Sequence, residues 1–203
     1  MFENNNALEK LFQPIEVLHG VGEKRKRAYE KLGIRRPYDL LFYLPRTYID
    51  FSNPVSVLEA ESGGYACVKG TVIKKMHGVT SQKGLSVYKA IVKDYKINFT
   101  VAIYSPYTFD RLIEGEEYCF YGKVFANSRL SREMHSPYIM KADSGCIMKA
   151  VYPLTTGLTA GMISSNIEET LKIYDKVSFE TLPLSIRKEY SLMYLPMALH
   201  EIH

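Results

Sequence analysis

The stretch from Gly64 to about Ala150 constrains the fold most, because apolar and polar residues alternate along it in repeated short runs. A period of two places successive side chains on opposite faces of an extended strand. Tyr65 to Lys75 alternates and is rich in Val, Ile and Thr, and Leu85 to Lys93 alternates again. In that second run Leu85, Val87, Lys89, Ile91 and Lys93 share one face, and Tyr88, Ala90 and Val92 share the other. Ile97 to Tyr104 reads as a third strand, Tyr118 to Phe125 as a fourth, and a fifth is expected within Tyr138 to Lys149. Tyr107 to Ile113, between the third and the fourth, reads as a short helix. Five strands with a helix in that position predict an OB-fold, a partly open Greek-key barrel.

Helical patterns flank this core. Leu8, Leu11 and Phe12 have helical spacing until Pro14 interrupts it. The apolar stretch Ile15 to Leu18 leads into His19-Gly20-Val21-Gly22, and Glu23 to Leu32 reads as a second helix. Gly33 suits the position just past a helix end, where the left-handed conformation is needed. Pro37 is placed to start a further helix, Tyr38 to Tyr43, with Pro45 stopping it. After the core, Met162 to Tyr174 carries Ile163, Ile167, Thr170, Leu171 and Tyr174 on one side, and Ser185 to Tyr190 and Pro196 to Ile202 read as shorter helices. The chain ends inside an amphipathic segment with no helix-stop signal, which reads as an end within a longer chain. The expected class is therefore α+β, mainly β. Residues 1–50 form a helix-hairpin-helix-like segment, 51–150 the five-stranded barrel, and 151–203 a helical linker.

Composition narrows the setting. No apolar run approaches the ~20 residues of a membrane span, and the N-terminus lacks the basic-then-apolar pattern of a secretory signal. Cys67, Cys119 and Cys146 are odd in number and form no CxxC pair, so buried small hydrophobes in a reducing cytosol are expected. Glu23 to Arg36 holds seven Lys/Arg against two Asp/Glu, and Tyr65 to Lys141 holds twelve against six. Two positive segments on an otherwise acidic chain fit a polyanion partner, and they equally fit a solvated lysine-rich surface.

Catalytic signatures are missing. The sequence contains no GxxxxGK[ST] loop, no HExxH and no GxSxG. His19, His77, His135, His200 and His203 lack metal-ligand spacing, and Glu114, Glu116 and Glu117 fit a turn before a strand. Binding features are present instead. Gly20-Val21-Gly22 has the Gly-hydrophobic-Gly form of helix-hairpin-helix elements: two glycines permit a tight turn, and free N–H groups at the next helix start can meet a phosphate. Lys24, Arg25, Lys26 and Arg27 follow directly. A plain helix–helix turn with a solvated basic face is the alternative. In the barrel Tyr88, Tyr95, Tyr104, Tyr107 and Tyr121 interleave with Lys74, Lys75, Lys89, Lys93, Lys96 and Lys123. Rings in a basic groove bind single strands by stacking, although any one tyrosine can equally be a core residue.

Several blocks, in order, carry a family resemblance. Gly20-Val21-Gly22, Leu32-Gly33-Ile34, Asp39-Leu40-Leu41 and Leu44-Pro45-Arg46-Thr47-Tyr48-Ile49-Asp50 make up an opening block, and Gly122-Lys123-Val124 sits where the fourth barrel strand should. Tyr152-Pro153-Leu154-Thr155-Thr156-Gly157-Leu158 is the most specific match, followed by Leu182-Pro183 and Ala198-Leu199-His200-Glu201-Ile202-His203. From about Ile15 onward the chain resembles the N-terminal wedge region of the bacterial RecG family of ATP-dependent branched-DNA helicases. The resemblance implies a wedge that splits a fork or Holliday junction while two motor domains pull the duplex, in fork reversal, recombination and repair. It implies a motor beginning just after His203, with ATP and magnesium belonging to that motor, and no cofactor or enzymatic activity in this part. The implied partners are branched DNA and the chain's own motor domains, in a cytoplasmic monomer without membrane contact.

The family's wedge carries paired aromatics after the third strand, in a pattern like Phe-Asn-Gln-x-Tyr, that stack on bases at the branch. Here the stretch reads Ala102-Ile103-Tyr104-Ser105-Pro106-Tyr107, so Tyr104 and Tyr107 are the implied stacking residues, three apart where the family has four. Either the loop is one residue shorter or Ile103 takes the first place. The turn after Asp94 has Tyr95-Lys96 where the family usually has a glycine. Phosphate contacts are expected from Gly20, Gly22, Lys24, Arg25, Lys26, Arg27, Lys74, Lys75 and Lys123. Two other readings stand beside this one. One is an OB-fold docking module without direct DNA contact. The other is an unrelated barrel-bearing enzyme domain, such as a synthetase's nucleic-acid-binding part, which predicts RNA preference.

Overall fold

The computed structural model describes residues 2–80, 86–128, 131–143 and 148–203, with the backbone alone at 2–4, 77, 79 and 80. In chain order the elements are α1 (Phe2–Phe12), a 3-10 turn (Ile15–Val17), α2 (Glu23–Glu30), α3 (Pro37–Leu41), β1 (Thr47–Asp50), β2 (Tyr65–Thr80), β3 (Ser86–Lys93) and β4 (Asn98–Ile103). They continue with α4 (Pro106–Asp110), β5 (Glu117–Ala126), β6 (Arg132–Lys141), β7 (Met148–Val151), α5 (Ala160–Tyr174), α6 (Leu184–Glu189) and α7 (Leu195–Ile202). The chain divides into two compact units, Met1–Tyr48 with Ala150–His203, and Ile49–Lys149. The terminal segments, read separately in the sequence, thus share one unit. β1 and β7, neither foreseen as a separate pair, form a two-stranded sheet where the chain leaves and re-enters it.

In the helical unit Leu11, Ile15, Leu18, Tyr29, Leu40 and Leu41 pack with Ile163, Ile167 and Tyr174 of α5. Gly33 has φ +80°, Ile34 N–H donates to the Tyr29 carbonyl and Gly33 N–H to that of Glu30. This is the paired closure of a Schellman motif, and Tyr29 and Ile34 are both buried beside it. α3 starts at Pro37, and the Asp39 carboxylate accepts from the Arg35 and Arg36 amides, each at 2.9 Å. Two buried polar residues of α5 set the position of the N-terminal loop. Asn166 accepts from the Tyr29 hydroxyl at 2.7 Å and donates to the His19 carbonyl at 3.2 Å, while Thr170 donates to the Asn166 carbonyl. Burial pushes the Tyr29 phenol up to about 12, so it stays a hydrogen-bond donor.

The second unit is a closed barrel in the order β2-β3-β4-β6-β5, antiparallel except where β4 runs parallel to β6. With α4 lying between β4 and β5, this is the OB-fold topology. Val68, Val72, Val92, Phe99, Val101, Phe120, Val124 and Met134 fill the interior, and Phe109 of α4 and Leu112 join that core. β2 is long because it pairs first with β5 and then with β3, changing partner near Thr71. At that crossing a Cβ on Gly70 would lie 2.7 Å from the Lys93 carbonyl oxygen, so only glycine allows the approach. The fifth barrel strand is β6, Arg132–Lys141, which begins earlier than expected and overlaps Tyr138 to Lys149 only in its last four residues. Ser136 has φ +45° and the pairing with β5 shifts register between Tyr121 and Lys123, which breaks the alternation a sequence reader follows. Leu85 of the second expected strand, Cys146 and residues 144–147 of the fifth lie outside the described residues.

Asp94 organises the turn after β3. It is 4% exposed, and its carboxylate accepts from the Lys96 and Ile97 amides, the Ser56 hydroxyl and the Val57 amide at 2.7–2.9 Å. Burial opposes its ionisation, but these donors outweigh burial and hold its pKa below the ordinary carboxylate value. A carboxylate clamp thus does what a glycine turn does elsewhere. Cys67 and Cys119 are buried, and burial first of all pushes the Cys67 thiol up to about 12 and raises that of Cys119. Among the described residues no helix is long and apolar enough to cross a membrane.

Candidate nucleic-acid interface

In the helical unit the predicted hairpin is built as a tight turn. Gly20 has φ +74°, and Gly22, extended at φ −97°, is the N-cap of α2 with open space around it. The first hydrogen bonds of α2 return Arg25 and Lys26 N–H to the Gly22 carbonyl, so the amides of Glu23 and Lys24 stand before the helical ladder. His19 N–H donates to Glu169 of α5 at 2.9 Å, which fixes the turn from the far end of the sequence. The basic run is less available than its sequence suggests. Arg25 donates to the Gly20 carbonyl, Lys26 pairs with Glu16 at 2.6 Å, and Arg27 pairs with Glu23 at 3.2 Å. Hydrogen bonding to Glu16 also raises the Lys26 pKa. Lys24 is exposed and has no ion-pair partner among the described residues.

In the barrel unit Ser105 caps α4, its hydroxyl accepting from the Thr108 amide at 3.3 Å, and Pro106 takes the first helical position. The helix therefore spans Pro106–Asp110, starting one residue earlier and ending three sooner than the expected Tyr107 to Ile113. Tyr107 projects from its first turn and is 70% exposed. The Arg111 guanidinium lies 5.6 Å from the Tyr107 ring centroid, a cation that the sequence reading did not single out. Tyr104 is 38% exposed and its hydroxyl lies 3.2 Å from His135 Nδ1. Ile103 is buried in the barrel core opposite Tyr88. Of the two candidates for the first aromatic place, only Tyr104 is exposed.

The remaining predicted cations divide. Lys123 is exposed on β5, beside the Phe125 ring at 5.6 Å, and Lys74 is exposed on β2. Lys75 turns inward instead. Its ammonium donates to the Leu112 carbonyl at 2.9 Å and the Asp110 carbonyl at 3.4 Å, and it lies 4.5 Å from the Phe109 ring centroid. Those carbonyls are at and just beyond the end of α4, so Lys75 closes that helix and is not free for a phosphate. Of the other interleaved residues, Tyr88 stacks on Phe109 next to the core, Lys89 pairs with Glu133 at 2.9 Å, and Lys96 pairs with Glu59. The sequence reading passed over His135, because the parallel β4–β6 pairing alone brings it to Tyr104. Among the described residues no group of three or more His, Cys, Asp or Glu is placed to hold a metal ion.

Comparison with known proteins agrees with this architecture. The family model described as the RecG wedge domain matches residues 14–174. A relative from Streptococcus pneumoniae, named ATP-dependent DNA helicase RecG, is 29% identical over 199 residues, which covers 95% of this chain and 28% of the relative. A protein of the same name from Thermotoga maritima is 23% identical and covers 93% of this chain and 25% of its own length. The chain thus spans about a quarter of the length of these relatives. The solved structure described as RecG bound to a three-way DNA junction superposes with a TM-score of 0.79 at 23% identity, over 94% of this chain and 27% of that one. With a wedge-domain match over most of its length and the barrel topology described above, the chain belongs to the RecG wedge-domain family.

Proposed function

We propose that this chain binds branched DNA, with the barrel standing at the branch point and the ring of Tyr107 replacing a base neighbour lost where the strands part. One observation carries the reading: a tyrosine 70% exposed on the first turn of a capped helix, with Arg111 beside its ring. Such a ring packs little core and is presented with little freedom to lose, because Ser105 and Pro106 fix the turn. Tyr104 is the other stacking residue in this reading. Gly20, Gly22 and Lys24 on the helical unit, and Lys74 and Lys123 on the barrel, supply phosphate contacts that position the chain without reading sequence. Arg25, Lys26 and Arg27 contribute only when they leave their present partners. In this reading the chain is the branch-binding part of a cytoplasmic ATP-dependent helicase of fork reversal, recombination and repair. ATP and magnesium are handled by motor domains that this chain does not include, and those domains are its protein partner. The same family assignment motivates it, and the fragment itself is expected to lack ATP turnover.

The test is a titration of forked, three-way and plain duplex DNA across salt, with the parent and Tyr107→Ala. The parent is expected to prefer branched forms, and Tyr107→Ala to weaken them by about 1–3 kcal/mol per stacked base while leaving duplex binding nearly intact. A folded Tyr107→Ala protein with unchanged fork preference overturns the reading. A docking role is favoured by a separate observation, the exposed Leu184, Tyr190, Leu192, Met193 and Met197 in the helical unit. Salt-independent or absent DNA binding by the parent supports docking instead.

A further inference from the structure

The outer faces of the second and third barrel strands, with the loops beside them, are where OB-folds usually hold oligonucleotides. Here those faces belong to β3 and β4 and present Lys89, Ile91, Lys93, Asn98 and Thr100, with Ala102 buried on the same side, and without one aromatic ring. Tyr95 is exposed in the turn between these strands and Tyr107 after them, and a further group of rings lies round the barrel. The register sets Ala102 of β4 opposite His135 of β6, His135 opposite Lys123 of β5, and Lys123 opposite Tyr65 of β2. These four positions form one row across four strands, about 14 Å from end to end.

Side chains along this row are mostly rings, with one lysine among them. Tyr104, two residues beyond Ala102, reaches the His135 ring, and Phe125 meets the same ring edge-on at 5.1 Å. Lys123 follows, its ammonium 5.6 Å from the Phe125 centroid. Tyr65, 69% exposed, then stacks on Tyr121 at 5.9 Å. Glu133, whose carboxylate lies 3.6 Å from His135 Nε2, is held by Lys89 at 2.9 Å and by Asn127 at 3.3 Å. Lys123 has no carboxylate partner among the described residues. Ring faces can stack only on bases that are not already stacked in a duplex, and a lone ammonium between them suits a phosphate.

We propose that this strip, from Tyr104 through His135 and Lys123 to Tyr65, is a binding site for a single DNA strand. It lies on a different face from the usual one and does not include Tyr107. The choice of DNA over another polyanion rests on the branched-DNA reading; the ring-and-cation row does not. A strand parted at the branch has unpaired bases that this row can take, beginning at Tyr104.

The test uses this chain and a fluorescent oligothymidine, titrated across salt. Tyr65→Ala combined with Lys123→Ala is expected to weaken binding at least fivefold and to lower the salt slope by about one. Lys93→Ala, which removes the same charge from the usual face, is expected to change affinity by less than twofold. Both altered residues are exposed, and circular dichroism checks that the double variant is folded; Tyr65→Phe is expected to retain binding. A folded double variant that binds oligothymidine like the parent overturns the proposal, as does a larger loss from Lys93→Ala. Tighter binding of oligouridine than of oligothymidine would also overturn it. Loss of oligothymidine binding in the strip variants supports the strip whether or not the parent prefers forks to duplex, so the two readings fail separately.

Discussion

The helical unit and the barrel are both rich in basic residues, but they dispose of that charge differently. In the helical unit the run after Gly22 is answered from within: Glu16 holds Lys26, Glu23 holds Arg27, and the Gly20 carbonyl holds Arg25. In the barrel Lys69, Lys89, Lys96 and Lys141 are held by carboxylates too, but Lys123 and Arg111 lie beside aromatic rings, with no ion pair to either among the described residues. A balance of charge counted along the sequence treats the two segments alike, whereas a phosphate responds to cations that are not already paired. By that measure Lys24 in the helical unit and Lys123 and Arg111 in the barrel are among the cations open to a phosphate.

The units differ in their polar interiors as well, and here the largest effects are expected. The barrel concentrates four buried or half-buried donors on one carboxylate, Asp94. Asp94→Ala leaves those donors without their acceptor, at about 1–3 kcal/mol for each that water cannot reach. That is enough to unfold a marginal barrel. The protein has sixteen tyrosines and no tryptophan, so tyrosine circular dichroism against denaturant reports the change. The depressed pKa of Asp94 also sets a direction with pH. Its contribution is complete above the ordinary aspartate value of about 4 and is lost as pH falls through the lower folded value. Stability of the parent should fall in that acid window, and the Asp94→Asn protein, already weakened, should show a shallower fall there.

In the helical unit the corresponding residue is Asn166, which serves the Tyr29 hydroxyl and the His19 carbonyl from one side chain. Asn166→Ala is expected to cost about 1–3 kcal/mol for each buried partner left unpaired, less in total than Asp94→Ala because fewer groups are orphaned. It should also loosen the Gly20–Gly22 turn, which hydrogen exchange at the Val21 to Lys24 amides would report. Equal losses from Asn166→Ala and Asp94→Ala would break the contrast between the two interiors.

How much of this could be read from sequence follows from which interactions are local. Alternation placed the first four barrel strands to within a few residues, because each keeps one face in the core, as β5 does with Tyr118, Phe120 and Val124. Gly33 was legible because a helix that stops needs a residue tolerant of positive φ. The fifth strand was misplaced, since the positive φ of Ser136 interrupts the period that locates strands. Pairings between distant residues were invisible: Asn166 to Tyr29, Tyr104 to His135, and Glu16 to Lys26 carry no spacing signal. For that reason the candidate site was legible as a set of residue types, while the division into free and engaged cations was not.

Lys74 and Lys75 test that division within the barrel. Lys75→Met removes the bonds to the Leu112 and Asp110 carbonyls and is expected to cost about 1 kcal/mol of barrel stability with little change in salt-dependent DNA binding. Lys74→Met should do the reverse, leaving the denaturation midpoint alone and weakening DNA binding slightly. A stable Lys75→Met protein with a flattened salt slope would show that the lysine leaves α4 to meet DNA.

The smallest effects are expected at the basic helix, and they sharpen the opening contrast most directly. One phosphate contact changes the slope of log affinity against log salt by about 0.9, so loss of one is a few-fold effect at moderate salt. Lys24 has no carboxylate to leave, and Lys24→Ala should show that full loss. Lys26 must first break its 2.6 Å pair with Glu16, so Lys26→Ala should change the slope less. Glu16→Gln then supplies the decisive arm. It removes the competing carboxylate without removing any cation, frees Lys26 for the phosphates near the α2 N-terminus, and should steepen the slope and tighten binding to forks and duplex alike. Adding Lys26→Ala to Glu16→Gln should cancel that gain. If Glu16→Gln binds no tighter than the parent while Lys24→Ala is weakened, the pair is inert toward DNA and α2 makes contact through its first turn alone. If Lys24→Ala is also without effect, the helical unit takes no part in binding and the barrel carries it entirely.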